Sequence, residues 1–155
     1  MNHEERAYEL FKRGYNCAQA VCCAFSDLIG VEEETLLKLS ASFGGGFGRL
    51  REMCGAVAGM GFVLGALYSS PDPADTTAKA AHYARVQELA DTFRQEHGTI
   101  VCRELLEQMA LRPDTSPQPD KRDERYYKVR PCVRLVESAA RMLDAYIEQH
   151  PSVNG

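Results

Sequence analysis

The chain has 155 residues, 45% hydrophobic and 26% charged, the balance of one ordinary globular domain. Its net charge of −4 argues against a nucleic-acid partner, which asks for a basic face. No basic-then-apolar leader opens the chain. Its longest apolar run, Met53 to Tyr68, is short and broken by glycines, so the expectation is a cytoplasmic protein without membrane insertion.

Helical periodicity dominates and no period-2 strand stands out, which predicts an all-α fold. We expect one domain over residues 1–155, a bundle of six to seven helices. The first helix runs from about Glu4 to Arg13 and stops at Gly14. Asn16 caps the second, which ends at Gly30 after about Ile29. The third covers about Glu32 to Phe43. A glycine-rich turn, Gly44 to Arg49, leads into the fourth, from about Met53 to Ser69. The four glycines of that helix, Gly55, Gly59, Gly61 and Gly65, call for close packing, so it reads as the central helix or a homodimer interface. Asp72-Pro73-Ala74-Asp75 supplies a cap and an N1 proline for the fifth, which lasts to about Glu96. Thr99 caps the sixth, ending near Leu111. Residues 112–129 form a long polar connection, and Pro131 starts the seventh, to about Gln149. The closing stretch from Pro151 to Gly155 reads as frayed.

Six cysteines are the loudest feature. There is no C-x-x-C and no C-x-x-C-H, so a thioredoxin motif, a zinc ribbon and covalent c-type haem are all absent. Cys17, Cys54, Cys102 and Cys132 each fall in the first turn of an expected helix. Three of them share a face with apolar residues: Cys17 with Ala20, Val21, Ala24 and Leu28, Cys102 with Leu105, Leu106 and Met109, and Cys132 with Leu135, Val136, Ala139 and Leu143. Cys22 and Cys23 lie round the helix from Cys17 and read as packing residues. In an up-and-down bundle the second, fourth and sixth helices start at one end, and the 112–129 connection is long enough to bring Cys132 there too.

Helix N-termini carry partial positive charge and free N–H groups, which favour thiolate, the form that attacks and that binds metal. Arg49, Arg51, Arg103, Arg130 and Arg134 lie near the cysteines in sequence. Gly45 and Gly46 permit close backbone approach, so these two and Arg49 are candidate cofactor-binding residues. The glycine turn lacks a preceding strand and a P-loop lysine, so it is no nucleotide cradle. His97 is placed to serve as a substitute ligand or proton relay, although packing is the default for it. Tyr126 and Tyr127 are placed to cover the site or to mark an interface, with packing the default for them too.

The stretches Gly14-Tyr15-Asn16-Cys17-Ala18-Gln19-Ala20-Val21, Phe43 to Arg49, and Cys54-Gly55-Ala56-Val57-Ala58-Gly59, with Cys102 and Pro131-Cys132, resemble the redox-active proteins named for the pattern C, GCAxxG, C, C. Where that name writes Gly-Cys-Ala, this chain has Cys54-Gly55-Ala56. The resemblance implies a helical redox protein. It is similar to part of the split-Soret cytochromes, whose clustered cysteines imply an iron–sulfur centre, but the haem motifs are missing here.

Three functions follow. The first is an electron-transfer protein, served by an unknown redox partner, whose four cysteines bind an iron–sulfur cluster. The second is a metal-free thiol–disulfide protein using the same four residues. The third is a zinc-holding interaction module.

Overall fold

The computed structural model describes residues 1–151, so the expectation of a frayed tail lies, for residues 152–155, outside the described residues. The fold is all-α. In chain order the helices are α1 (His3–Lys12), α2 (Cys17–Ala24), α3 (Ser26–Ile29), α4 (Glu33–Ser40), the single turn α5 (Gly44–Phe47), α6 (Gly55–Tyr68), α7 (Thr76–His97), α8 (Cys102–Glu107), α9 (Glu124–Val129) and α10 (Cys132–Gln149).

Local chemistry sets the starts. Asn2 with Glu5, and Asn16 with Gln19, form reciprocal capping boxes that satisfy two orphan donors at each helix N-terminus. Gly30 and Gly98 end their helices in the left-handed region, at φ 73° and 90°. Tertiary packing then selects the buried faces. Helix α2 lies between α1 and α6 and also meets α4 and α10. Helix α10 buries Leu135, Val136, Ala139 and Leu143 and turns Arg134 and Arg141 outward. Fully burying each large aliphatic side chain contributes about 1.5–3 kcal/mol.

Helix α6 is central, with Ala56, Met60, Val63 and Leu64 almost wholly buried. Only two of its glycines serve close packing. A Cβ on Gly59 would lie 2.7 Å from Val21 Cβ, and one on Gly55 would lie 3.0 Å from Cys17 Cβ. Gly61 and Gly65 face open space, so the expectation that all four are needed for contact does not hold.

Several boundaries differ from expectation. The second helix breaks at Phe25, and the turn Ser26–Ile29 leaves Leu28 exposed rather than on the Cys17 face. Residues Ala41–Phe43 close α4 as a 3-10 turn. Asp75, not Asp72, caps α7, because Asp72 accepts from the Ala74 amide in a local turn. The sixth helix begins at Cys102 and stops at Glu107. Thr99 holds the Val101 amide instead of capping it, and Met109 is exposed. The long connection is partly helical: Asp123 accepts from the Tyr126 amide and starts α9.

Candidate functional site

Three of the four cysteines open a helix, and each is placed by a different device. Cys17 follows the Asn16 cap, and Asn16 also donates from Nδ2 to the Ala41 carbonyl, which docks the glycine turn against α2. Cys102 is the first residue of α8 and Cys132 the first of α10. Cys54 sits one step outside α6, as its N-cap residue.

Cys54 and Cys102 are brought together by a contact no helix pattern foretells. Met53 and Val101 form an isolated antiparallel bridge. The Cys54 amide donates to the Ile100 carbonyl at 2.7 Å, and the Cys102 amide to the Glu52 carbonyl at 2.6 Å. Strand alternation then puts Cys54 and Cys102 on the face opposite Met53 and Val101. One bridge is too short to leave an alternating signature, which is why the sequence does not announce it.

The glycine turn seats this bridge. Gly46 has φ +69°, and a Cβ there would lie 2.6 Å from Cys102 Cβ and 2.7 Å from Arg51 Cα. Phe47, Arg49 and Arg51 also take positive φ, at 70°, 67° and 62°. Such backbone costs about 1–3 kcal/mol per residue and persists where the surroundings enforce it. The amides of Gly48, Arg49, Arg51 and Glu52 bond back to Ser42, Gly44, Gly45 and Gly46, so these four are committed within the turn and its approach. The amides of Ala56 and Val57, at the start of α6, act to lower the pKa of Cys54.

All four cysteines line one cavity of about 450 Å³. Gly45, Gly46 and Arg49 line it as well, and so do Arg51, Arg122 and Arg130. Against these four arginines the wall carries one carboxylate, Asp120. Cys22 and Cys23 lie in the core and His97 lies away from the cavity, its Nε2 against the Ser138 hydroxyl at 2.9 Å. Arg103 pairs with Glu52 at the surface, and Arg134 reaches Met109.

Residues 112–123 and α9 form a strap that covers the cavity. Arg49 donates to the Ser116 carbonyl at 2.5 Å and to Asp120 at 2.8 Å. Arg130 donates to the same Asp120 oxygen at 2.9 Å, and Arg51 Nε to the Asp114 carbonyl at 3.0 Å. Arg122 donates to the carbonyls of Phe11 and Tyr15, at 3.0 and 3.1 Å, and its guanidinium lies over Phe11 and Tyr126. Burial opposes ionisation of Asp120, but the hydrogen bond from Arg49 and the charges of Arg130, Arg49 and Arg51 outweigh it and hold the carboxyl below its usual range. Of the two tyrosines expected to cover the site, Tyr126 lines the cavity, while Tyr127 bonds the Lys12 carbonyl outside it.

The thiols differ in ionisation. The Cys17 thiol, donating toward the Cys132 sulfur, is the main reason the Cys132 pKa falls to about 7; Arg130, Arg122 and Arg51 add to this and burial works against it. Cys17 is pushed up by that same partnership and by burial. Burial lifts Cys54 to about 12 despite the two helix amides. It also raises Cys102, against the hydrogen bond and charge of Arg51. Starting a helix therefore does not by itself make a thiolate here: desolvation wins at Cys54 and Cys102.

Among the described residues, no three His, Cys, Asp or Glu side chains are set to hold one metal ion. All four thiols belong to the cavity wall.

A family model described as "Putative redox-active protein (C_GCAxxG_C_C)" matches residues 15–146. The chain belongs to that family. The match runs from Tyr15, two residues before Cys17, to Tyr146 in α10, so it takes in all four cavity cysteines, the glycine turn and the strap. Neither a curated protein nor a solved structure matches the chain. Among the described residues no helix is long and apolar enough to cross a membrane.

Sequence reasoning missed Arg122 and Asp120 as parts of the wall. Both belong to the strap, and neither sits in a pattern that marks it out from the charged residues beside it.

Proposed function

We propose that the cavity is a redox centre for electron transfer in which Cys17, Cys54, Cys102 and Cys132 ligate an iron–sulfur cluster. The observation that carries this reading is the gathering of four thiols, contributed by elements far apart in sequence, on the wall of one strap-covered cavity. The donor chemistry fits the group. Such clusters take four thiolates, and their potential depends on hydrogen bonds to sulfur and on burial. A thiolate-ligated cluster is anionic, and four arginines against one carboxylate offset that charge.

When bound, the cluster supplies one-electron chemistry. The chain's own part is to present four cysteine sulfurs at the starts of α2, α6, α8 and α10, to exclude water with the strap, and to balance charge with arginine. A reducing compartment, the cytoplasm, keeps such thiols available. The electron partner docks from outside.

One observation favours a second reading. Cys17 and Cys132 share the cavity wall, and Cys17 lowers the pKa of Cys132, the thiol most ready to ionise. That pair suits a metal-free centre in which two thiols lose two electrons and two protons and form a disulfide.

Purification without oxygen, with assays for iron and acid-labile sulfide and a visible spectrum, tests the proposal. The expected result is iron and sulfide with charge-transfer bands, lost in Cys17→Ser, Cys54→Ser, Cys102→Ser or Cys132→Ser and kept in Cys22→Ser. A colourless protein with a titratable Cys17–Cys132 disulfide replaces it with the second reading. A colourless protein whose thiols show no redox couple overturns both.

A further inference from the structure

Arg51 is the most deeply buried charge at the site, with a side chain 4% exposed. Its backbone takes φ +62°, a conformation arginine adopts at a cost. Two of its three guanidinium nitrogens have evident partners. Nε donates to the Asp114 carbonyl at 3.0 Å, and Nη1 lies 3.9 Å from the Cys102 sulfur. Nη2 is buried without a hydrogen bond and has only an ion pair, 3.6 Å from an Asp120 oxygen that already accepts from Arg49 and Arg130.

A buried donor left unsatisfied costs about 1–3 kcal/mol. Folded proteins rarely keep such a group without a use for it. Here the group belongs to a residue lining the cavity, on the side of Cys102. Asp120 holds it by charge alone: the oxygen facing Nη2 lies 3.6 Å away, beyond hydrogen-bond reach, and already accepts from two other arginines.

From this we infer that Arg51 is the residue that sets the reduction potential of the cysteine centre, through its buried, incompletely satisfied guanidinium charge and the contact of Nη1 with the Cys102 sulfur. This rests on the redox reading of the site, in either of its forms, and the sign is the same for both. Reduction of a thiolate-ligated cluster adds an electron. Reduction of a disulfide adds two electrons and yields two thiols, of which that of Cys132 is the readier to ionise. Either way the reduced state carries more negative charge, and a fixed guanidinium in a low-dielectric wall favours it. Arg51 therefore holds the potential up.

The other charges at the wall divide by role. Arg49 and Arg130 are paired with Asp120, and Arg122 is engaged with the carbonyls of Phe11 and Tyr15. These three fasten the strap, as Arg51 also does through the Asp114 carbonyl. Arg51 is the one whose fork retains an unfilled donor.

The test is the midpoint potential of the whole protein as purified without oxygen, read from the visible bands if a cluster is present and by thiol–disulfide titration if it is not. Arg51→Gln removes the charge, and Arg51→Lys keeps the charge without the fork. Asp120→Asn removes the opposing carboxylate. We expect Arg51→Gln to shift the redox equilibrium about tenfold toward the oxidised form, which is about 59 mV lower for a one-electron couple and about 30 mV lower for a two-electron couple. Arg51→Lys should fall between Gln and the wild type. Asp120→Asn should move the potential upward, since a negative charge has left the wall. This opposition separates a direct role from a structural one: if Arg51 only fastened the strap, loosening it by either substitution would shift the potential the same way. Arg51→Gln at the wild-type potential, or with the same sign as Asp120→Asn, overturns the inference and leaves the redox reading standing. A wild type with no measurable couple removes both. If Arg51→Gln fails to fold, the Lys and Asn variants still decide by their opposite signs.

Discussion

Replacing Gly46 with alanine probes how the glycine turn positions Cys102. Two costs apply. The residue sits at φ +69°, where a Cβ costs about 1–2 kcal/mol. The new Cβ would also lie 2.6 Å from Cys102 Cβ and 2.7 Å from both Arg51 Cα and the Glu52 nitrogen. Two of these are main-chain atoms and the third is fixed to one, so none can swing aside. Overpacking of that kind adds about 1–3 kcal/mol. The sum for Gly46→Ala is about 2–5 kcal/mol. Gly48→Ala is the internal control, because Gly48 has φ +57° with nothing within 4 Å of its Cβ position. It should lose only the backbone share, about 1–2 kcal/mol. Urea unfolding followed by circular dichroism, on reduced and metal-free protein, measures both. Equal losses in the two variants would refute the claim that the turn packs against the Cys102 side chain and the Arg51–Glu52 backbone. A loss near zero in both would remove the left-handed assignment as well.

Two further outcomes are expected. Gly59→Ala should destabilise by about 1–3 kcal/mol because its Cβ meets Val21. Gly61→Ala, in open space on the same helix, should stabilise by about 0.5–1 kcal/mol. Thermal melts of the pair check this, and stabilisation by both would mean that α2 does not press on α6 at Gly59. In the reduced, metal-free protein, iodoacetamide should modify Cys132 first. Its rate should rise as pH climbs through about 7, because the thiolate is the nucleophile and its folded-state pKa is depressed. Cys17 and Cys54, whose thiols are held up, should respond only at higher pH, and the buried Cys22 and Cys23 only on unfolding. Peptide mapping by mass spectrometry follows each site, and six parallel profiles near pH 9 would contradict the assignment.

The helical character of the chain was legible residue by residue. Asn16 with Gln19 caps α2, Gly30 and Gly98 stop their helices, and Pro131 precedes Cys132 at the start of α10. These signals are local: a cap bonds three residues along, and an apolar stripe repeats every three to four. So the cysteines could be put at helix starts from the sequence, with Cys54 one position off. The family resemblance was legible for the same reason, since its motifs are short stretches around those starts.

What tertiary structure alone decided is how the ends meet and what surrounds them. The bridge between Met53 and Val101, the ion pair of Arg49 with Asp120 71 residues away, and the bond from Arg51 to the Asp114 carbonyl 63 residues away join segments with no shared periodicity. Nothing in the neighbourhood of Asp120 distinguishes it from the other acids of the connection until the strap closes and three arginines face it. The thiol chemistry followed the same division. A helix start favours thiolate by a field that acts over one turn, and the sequence can display that. Burial opposes it by an amount set by everything packed around the sulfur, and only the folded chain determined that Cys54 would be held protonated and Cys132 released.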